Sequence, residues 1–402
     1  MNVMTRHSRR RLLVGITLLT FLTIGLPDGI LGVAWPSIRE TFILPLDAMG
    51  VFLTVFTAGF LISSFNSGRI ISGIGVGPLL VISHALAGFG LAGYVVAPSW
   101  WAMVACSFLV GLGSGTTDAG INTYVAVNHS SRVMNWSHAC FGLGATIGPA
   151  LMTTIFALGY SWRYGYAVVA TLRALLALAF GLTLFHWRGS AAEPSEPVTV
   201  HPRTSVSSTL RLPITWLSIA MFLVYTGLEL TAGQWAYSLF TEGRGISPEI
   251  AGLWISIYWG SLTAGRLLIG FVSDRISGIR LMRLCFLGML CGGVLLSLRG
   301  SSTLSFLGLA LVGFACAPIF PSLIGLTPGR VGALHAPNAI GFELSAAAMG
   351  GAVLPGLTGV LAQNVGLEVV GPVLVVSAIV IFGLHEAVIH MATSRQPGGT
   401  LV

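Results

Sequence analysis

The chain has no lysine and few charges of either sign. Only 8% of its 402 residues are charged, against about a quarter in an ordinary water-soluble domain. So few charged groups cannot cover the surface of a soluble fold, and the composition therefore excludes that class. Hydrophobic residues make up 54% of the chain and its mean hydropathy is +0.87, which is typical of an integral membrane protein.

Motifs of several other classes of protein are missing as well. The five cysteines form no CxxC pair and lie in apolar runs, so we interpret them as small buried hydrophobic residues. No nucleophile–base arrangement, metal-ligand spacing or phosphate-binding loop is found. An enzyme, a metal site and a bound cofactor are therefore not expected. The net charge of +7 forms no contiguous basic face, which argues against nucleic acid as a partner.

Twelve apolar runs fill most of the chain, each long enough for a helix across the hydrocarbon core of a lipid bilayer, which takes about 20 residues. A polar interval rich in proline and serine separates six runs from six. The sequence thus predicts two six-helix bundles, 1–187 and 212–402, joined by a cytoplasmic linker, 188–211. The predicted spans are 12–36, 47–70, 77–97, 101–127, 135–158, 164–186, 212–240, 248–272, 281–299, 303–327, 334–362 and 369–391.

The arginines predict the orientation of these spans. They cluster before the first span and then in alternate loops, and loops rich in arginine stay on the cytoplasmic side. We therefore expect a multi-pass protein of the plasma (inner) membrane with both termini in the cytoplasm. The opposite loops hold four arginines, namely Arg39, Arg163, Arg244 and Arg299.

The two halves show traces of an internal repeat. The pattern Gly-Arg-x-x-x-Gly begins at Gly68 and again at Gly265, while Pro149 and Pro355 follow glycine-rich parts of the fifth and eleventh spans. Duplicated halves are common in transporters, whose solute site lies between the halves. The 52 glycines also supply small faces on which membrane helices pack closely.

Ionisable residues inside the predicted spans are the first candidates for function, because a charge in the bilayer core costs a few kcal/mol. Asp28 lies near the middle of the first span, between Pro27 and Gly29, which are expected to loosen the helix. A carboxyl group in such surroundings can take up and release a proton. Asp28 is thus a candidate for proton coupling, and a structural pair with Arg173 of the sixth span is the alternative.

The fourth span carries a second acid, Asp118, with Asn122 four residues later. Residues at this spacing share one face of a helix. A carboxylate and an amide together can bracket the hydroxyl groups of a solute, so we predict that both bind it. A polar contact between helices is the alternative interpretation.

The seventh span carries Glu229, with Tyr225 one turn before it and Gln234 and Trp235 after it. Tyr225 can hold the carboxyl group, Gln234 can hydrogen-bond a sugar, and the indole ring can stack on a sugar face. We predict proton coupling for Glu229 and solute binding for the other three. The alternative is that Glu229 anchors a broken seventh helix.

Four further residues complete the candidate set. Histidine is the residue type that ordinarily changes charge near neutral pH. His138, at the start of the fifth span, is therefore a candidate for the proton path, with a structural role as the alternative. Asn135 lies three residues before it. Glu343 is the acid of the eleventh span, and Asn338 lies five residues before it. We predict that Asn135, Glu343 and Asn338 bind solute.

The loop after the eighth span carries the most specific local pattern. From Gly270 it reads G-F-V-S-D-R-I-S-G-I-R, which resembles the G-x-x-x-D-R-x-x-G-x-R signature of the major facilitator superfamily. The resemblance implies that Asp274 pairs with an arginine and helps to latch the cytoplasmic gate. An acid at the negative end of a helix dipole needs such a cation, and Arg275 or Arg266 can supply it. The first half has Gly77 where the signature has the acid.

Several spans resemble the fucose-permease branch of that superfamily. The resemblance is carried by Asp28, by Asp118 with Asn122, by Asn135-Trp136-Ser137-His138, and by Gly227-Leu228-Glu229 with Trp235. It implies a rocker-switch fold with a central solute site, a proton role for Asp28 and a sugar-binding role for Asp118. The branch has Glu in place of Asp118 and Gln in place of His138, which leaves a different substrate open.

We therefore expect an all-α membrane protein of twelve helices with the major facilitator fold, functioning as a monomer within the lipid bilayer. Its expected function is secondary active transport of a small polar solute, in first place a sugar, coupled to protons by alternating access. An exporter or facilitator of a non-sugar solute, such as a drug or metabolite, is the alternative. A sensor or a membrane enzyme is the third and least favoured class.

Overall fold

A computed structural model of the chain describes residues 6–187, 204–272 and 277–395, and every regular element in these ranges is a helix. In chain order the helices up to the predicted linker are α1 (Arg6–Phe42), α2 (Ala48–Ile74), α3 (Val76–Val96), α4 (Trp100–Asn128), α5 (Ser131–Ala157), α6 (Trp162–Leu182) and the single turn α7 (Leu184–Trp187). They are followed by α8 (Val206–Leu210), α9 (Pro213–Ser238), α10 (Pro248–Val272), α11 (Gly278–Ser297), α12 (Ser302–Cys316), α13 (Ile319–Val331), α14 (Ala336–Val365) and α15 (Val370–Arg395).

The chain divides into two compact units. The first consists of Met1–Pro45 and Val51–Ser195, and the second of Leu46–Gly50 and Glu196–Val402. Most of the predicted linker, residues 188–203, lies outside the described residues. The end of the predicted linker is not extended, because Val206–Leu210 forms α8.

Ten helical segments of the described chain are long and apolar enough to cross a membrane, with α12 and α13 forming one of them. The helices α4 and α10 have 29 and 25 residues and correspond to the predicted fourth and eighth spans. The all-α fold expected from the sequence is thus confirmed, and the observed helices are consistent with twelve spans.

The pattern of helix packing repeats between the units. In the first unit α1 packs on α5, α3 on α4, and α3 on α6. In the second unit the helices at the corresponding places pair in the same way, α9 with α14, α11 with α12, and α11 with α15. This correspondence agrees with the internal repeat predicted from the sequence.

Glycine sets the closest of these contacts. A Cβ atom added to Gly144 of α5 would overlap the carbonyl oxygen of Leu22 on α1, and one added to Gly350 of α14 would overlap the carbonyl oxygen of Leu223 on α9. Only a residue without a side chain allows the two backbones to approach so far. The same type of contact therefore joins the corresponding helix pair in each unit.

The helix breaks differ from those expected. α1 is continuous through Pro27 and Pro36, so the loosening predicted there does not interrupt it. The expected break in the seventh span is wrong, because α9 runs unbroken to Ser238. The tenth span is broken instead, between α12 and α13. Pro318 and Pro321 lack the amide donors that a continuous helix would need at this point.

Two arginines from the loops predicted to face away from the cytoplasm are engaged in hydrogen bonds. Arg163 donates to the carbonyl oxygens of Val95, at 2.9 Å, and of Ala97, at 3.2 Å, at the end of α3. Its guanidinium carbon lies 4.7 Å from the ring centroid of Trp162. Arg163 therefore satisfies carbonyl groups that a helix leaves open at its C-terminal end.

Arg244 lies between α9 and α10 in the second unit. It donates to Glu368 from Nε at 3.0 Å and from Nη2 at 2.7 Å, and to Ser305 from Nη1 at 2.6 Å. A two-pronged bond of this kind matches the planar guanidinium to a carboxylate. Arg299 lies 3.6 Å from the same carboxylate, so one acid balances both arginines.

We predict that Gly144→Ala lowers the unfolding temperature, because its methyl group must displace the backbone of α1. Overpacking of this kind costs about 1–3 kcal/mol. The matched control is Gly181→Ala in α6, where an added Cβ would have no neighbour within 4 Å. Thermal unfolding of both variants in detergent tests this, and equal unfolding temperatures would contradict the packing described here.

Candidate functional site

Asp28 of α1 belongs to a buried group of polar side chains in the first unit. It is half-buried, and its charge acts on Arg173 of α6, which is only 1% exposed. Nη1 of Arg173 lies 3.4 Å from Nδ1 of His84, a fully buried residue of α3. This charge interaction agrees with the structural pair with Arg173 that the sequence left as an alternative. His84 was not predicted, because nothing in the sequence around it indicates its partner.

Asp118 and Asn122 form a pair on one face of α4, as their spacing predicts. Nδ2 of Asn122 donates to Oδ1 of Asp118 at 3.0 Å and to its backbone oxygen at 2.9 Å. Both amide protons of Asn122 are thus used within the helix. Oδ2 of Asp118 and Oδ1 of Asn122 remain as acceptors, and both side chains are half-buried.

His138 and Asn135 lie in the first two turns of α5, and both are exposed. The imidazole ring of His138 makes an edge-to-face contact with Phe21, with 5.3 Å between ring centroids. Phe21 precedes Asp28 by seven residues, which is about 10 Å along a helix. The structure therefore brings His138 against α1 but about two turns away from Asp28.

Glu229 of α9 is buried in the second unit and is held by Tyr225, one turn earlier in the same helix. The hydroxyl of Tyr225 is hydrogen-bonded to the carboxyl group of Glu229 and also lies 2.9 Å from the carbonyl oxygen of Cys316. Cys316 is the last residue of α12, directly before the break in the tenth span. The predicted contact between Tyr225 and Glu229 is thus present, and a backbone carbonyl joins it.

Arg266 of α10 faces this acid. Its Nη2 lies 4.0 Å from Oε1 of Glu229, at the outer limit of an ion pair. Arg266 was predicted for the gate latch with Gly270, Asp274 and Arg275. Gly270 lies in the last turn of α10, whereas Asp274 and Arg275 lie outside the described residues, so the latch stays a prediction.

Trp235 and Gln234, both predicted to bind solute, are buried in α9. Trp235 has no exposed surface, and its indole N–H donates to the carbonyl oxygen of Pro355 at 2.8 Å. Gln234 is 3% exposed. Neither face of the indole is open for stacking in this structure, so contact of Trp235 with a solute would need a conformational change.

Glu343 of α14 is fully enclosed. The hydroxyl of Thr327, on α13, lies 3.0 Å and 2.8 Å from its two carboxyl oxygens. The charge of Arg330 also acts on it. Its surroundings therefore provide a hydroxyl and a cation within the unit, and its predicted role in solute binding stays a prediction.

Asn338 precedes Glu343 by five residues but has different contacts. Its Nδ2 donates to the backbone oxygen of Thr204 at 3.0 Å and to the hydroxyl of Thr209 at 3.3 Å. The same hydroxyl lies 2.9 Å from Nδ1 of His335. Asn338 thus joins α14 to the segment that contains α8, a contact that explains its position without a solute.

The long apolar helices define the class of a multi-pass membrane protein. A sequence profile of the Major Facilitator Superfamily matches residues 16–236 and 217–397. The chain belongs to this superfamily, which confirms the resemblance of its eighth-span loop.

Proteins similar to this chain include several transporters. "Bypass of stop codon protein 6" of Saccharomyces cerevisiae is 24% identical over 87% of this chain and 77% of that protein. The glucose/mannose transporter GlcP of Bacillus subtilis is 22% identical over 84% of this chain and 85% of its own length.

Two solved structures show the same fold at low sequence identity. A mutant of the nucleoside transporter NupG has a TM-score of 0.78 and 15% identity over 94% of this chain and 99% of its own. A variant of the E. coli fucose:proton symporter FucP has a TM-score of 0.63 and 14% identity over 94% and 98%. These likenesses establish the fold and leave the solute open.

We predict that Tyr225→Phe destabilises the second unit, because it removes the hydroxyl between Glu229 and the carbonyl of Cys316. A buried polar group left without its partner costs about 1–3 kcal/mol. The control is Tyr164→Phe, at a side chain that is 56% exposed. Thermal unfolding in detergent compares them, and an unchanged unfolding temperature for Tyr225→Phe would show that this contact adds nothing to stability.

Proposed function

We propose that the protein is a proton-coupled symporter of a small polar solute, with sugars as the first candidate class. It would work by alternating access in the plasma (inner) membrane, with both termini in the cytoplasm. The observation that supports this proposal is that each unit holds an acid whose charge acts on an arginine, Asp28 on Arg173 and Glu229 on Arg266, the latter at 4.0 Å. The sugars transported by GlcP and FucP, and the proton symport of FucP, support this proposal.

A carboxyl group beside an arginine has two acceptable states inside a membrane protein. Protonated, it is neutral; deprotonated, its charge is balanced by the nearby guanidinium. Proton uptake forms an O–H bond on Asp28 with a proton from water on one side of the membrane, and release breaks that bond towards the other side. Because neither state leaves an unbalanced carboxylate in the protein interior, Asp28 can alternate between them during each transport cycle.

The hydrogen bonds around Glu229 can be completed with or without a proton on this acid. A tyrosine hydroxyl has one proton to donate, yet the hydroxyl of Tyr225 is bonded to Glu229 and lies at hydrogen-bond distance from the carbonyl of Cys316. If Tyr225 donates to Cys316, the proton of the other bond comes from Glu229. When that proton leaves, Tyr225 can turn its own proton towards the carboxylate, and Arg266 balances the charge.

The free acceptors on α4 indicate the chemistry of the solute. The amide protons of Asn122 are used inside the helix, so the pair formed with Asp118 offers oxygen acceptors and no donors. Such a pair favours solutes that present hydrogen-bond donors, as the hydroxyl groups of a sugar do. This supports solute binding by Asp118 and Asn122.

We predict that Asp28→Asn abolishes solute-driven alkalinisation in vesicles, because an amide cannot carry the transported proton. The matched control is Glu40→Gln, which removes an exposed acid from the same helix and is expected to leave alkalinisation unchanged. The measurement is the external pH change on addition of glucose, fucose, xylose or uridine. Normal proton uptake in the Asp28→Asn variant would reject Asp28 as the proton carrier.

We predict that a donor-rich solute raises the unfolding temperature of the wild-type protein and that Asp118→Ala loses this stabilisation. A ligand that binds the folded state stabilises it by mass action. Asp118→Asn, which keeps one oxygen acceptor, is expected to retain part of the effect. The test is a thermal-shift series with the same four compounds, and equal stabilisation of the wild type and the Asp118→Ala variant would exclude Asp118 from the binding site.

A further inference from the structure

We infer that His84 is a positioning residue for proton coupling, which holds the guanidinium of Arg173 where it can balance the charge of Asp28. The inference rests on the proton role proposed for Asp28. Three helices contribute to the arrangement, α1 with Asp28, α3 with His84 and α6 with Arg173. These residues are far apart in the sequence, so only the packing of the three helices brings them together.

The contact between His84 and Arg173 fixes the chemical form of the imidazole. Nη1 of Arg173 lies 3.4 Å from Nδ1 of His84, and a guanidinium group donates hydrogen bonds without accepting any. Nδ1 must therefore be the acceptor, and the ring proton lies on Nε2. A protonated imidazole would instead place two cations in contact in a fully buried site.

A neutral acceptor has a specific advantage over an acid at this position. A carboxylate in place of His84 would compete with Asp28 for the charge of Arg173. An uncharged imidazole orients the guanidinium and leaves its full positive charge to act on Asp28. His84 therefore fixes the place of the cation without consuming its charge.

Packing holds the imidazole in place. Its ring stacks on Phe180 with 5.2 Å between centroids and 18° between planes. One turn further along α3, a Cβ atom added to Gly88 would lie 3.3 Å from Cβ of Arg173, so α3 and α6 are closely packed here. Within the described chain, Nε2 of His84 and Nε of Arg173 are buried without hydrogen-bond partners.

Few charges compete with this arrangement. The helices packed on α1 are α4, α5 and α6. Their charged residues and histidine are Asp118, Arg132, His138, Arg163 and Arg173. Among the described residues, Arg173 is the charged group that acts on His84, and the charge of Asp28 acts on Arg173. Loss of His84 would therefore change the electrostatic surroundings of Asp28, because it would free the guanidinium of Arg173 to move.

Infrared difference spectroscopy of the full chain in lipid, recorded as a pH titration, tests this without any solute. The carbonyl band of protonated Asp28 is the one that disappears in Asp28→Asn. In His84→Leu we expect the pH at half development of this band to rise by about one unit, a tenfold change, because the guanidinium is no longer held beside the carboxylate. His84→Gln, whose amide oxygen can accept from Arg173, should return it to within about 0.3 units of the wild type.

The control is Ser83→Ala, which removes the neighbouring buried hydroxyl and its 2.9 Å contact with Thr117 and should leave the band unmoved. An unmoved band in His84→Leu, or a shift in His84→Gln as large as in His84→Leu, would overturn the role of His84. If Asp28→Asn removes no titrating band, the proton role of Asp28 fails and His84 loses its role with it. Far-ultraviolet circular dichroism identifies any variant that is unfolded. If His84→Leu is unfolded, His84→Phe, which also lacks an acceptor, replaces it with the same expected shift.

Discussion

Taking a charged side chain out of water is the constraint on which this structure depends. An ion buried without a partner costs several kcal/mol. The fold offsets this cost with partners that lie in the same unit as the charged group. Arg173 has a neutral acceptor in His84 and a charge partner in Asp28. Glu229 has a hydroxyl and, further off, an arginine. The groups that satisfy the constraint are also those that can give up or accept a proton, so stability and the proposed function use the same contacts.

Close helix packing places these partners. α1 and α5, and likewise α9 and α14, approach until glycine is the only residue that fits. Side chains that flank such a contact have little room to rearrange, and a shift of one helix moves the polar groups on it as a body. Glycine in this chain therefore contributes to the electrostatics indirectly, by fixing the distance at which a carboxyl group meets its partner.

The membrane spans and the all-α fold could be predicted from the sequence, because bilayer thickness sets the length of the apolar runs. The superfamily could be predicted because its loop signature is local in the sequence. Asp118 with Asn122 and Tyr225 with Glu229 could be predicted as pairs for the same reason, since each pair lies one turn apart on one helix. Contacts between different helices could not be predicted from the sequence. His84 with Arg173 and Thr327 with Glu343 depend on helix rotation, which hydropathy does not encode. The enclosure of Trp235 depends equally on neighbours distant in sequence, whereas the break at Pro318 follows from prolines that the sequence contains.

The break between α12 and α13 links backbone shape to the surroundings of a buried acid. It occurs next to the carbonyl of Cys316, which lies within reach of the same hydroxyl that holds Glu229. Straightening of the tenth span would move that carbonyl and leave the hydroxyl's single hydrogen to the carboxyl group alone. Any ligand that prefers one arrangement of this carboxyl group would therefore also prefer one shape of the helix beside it.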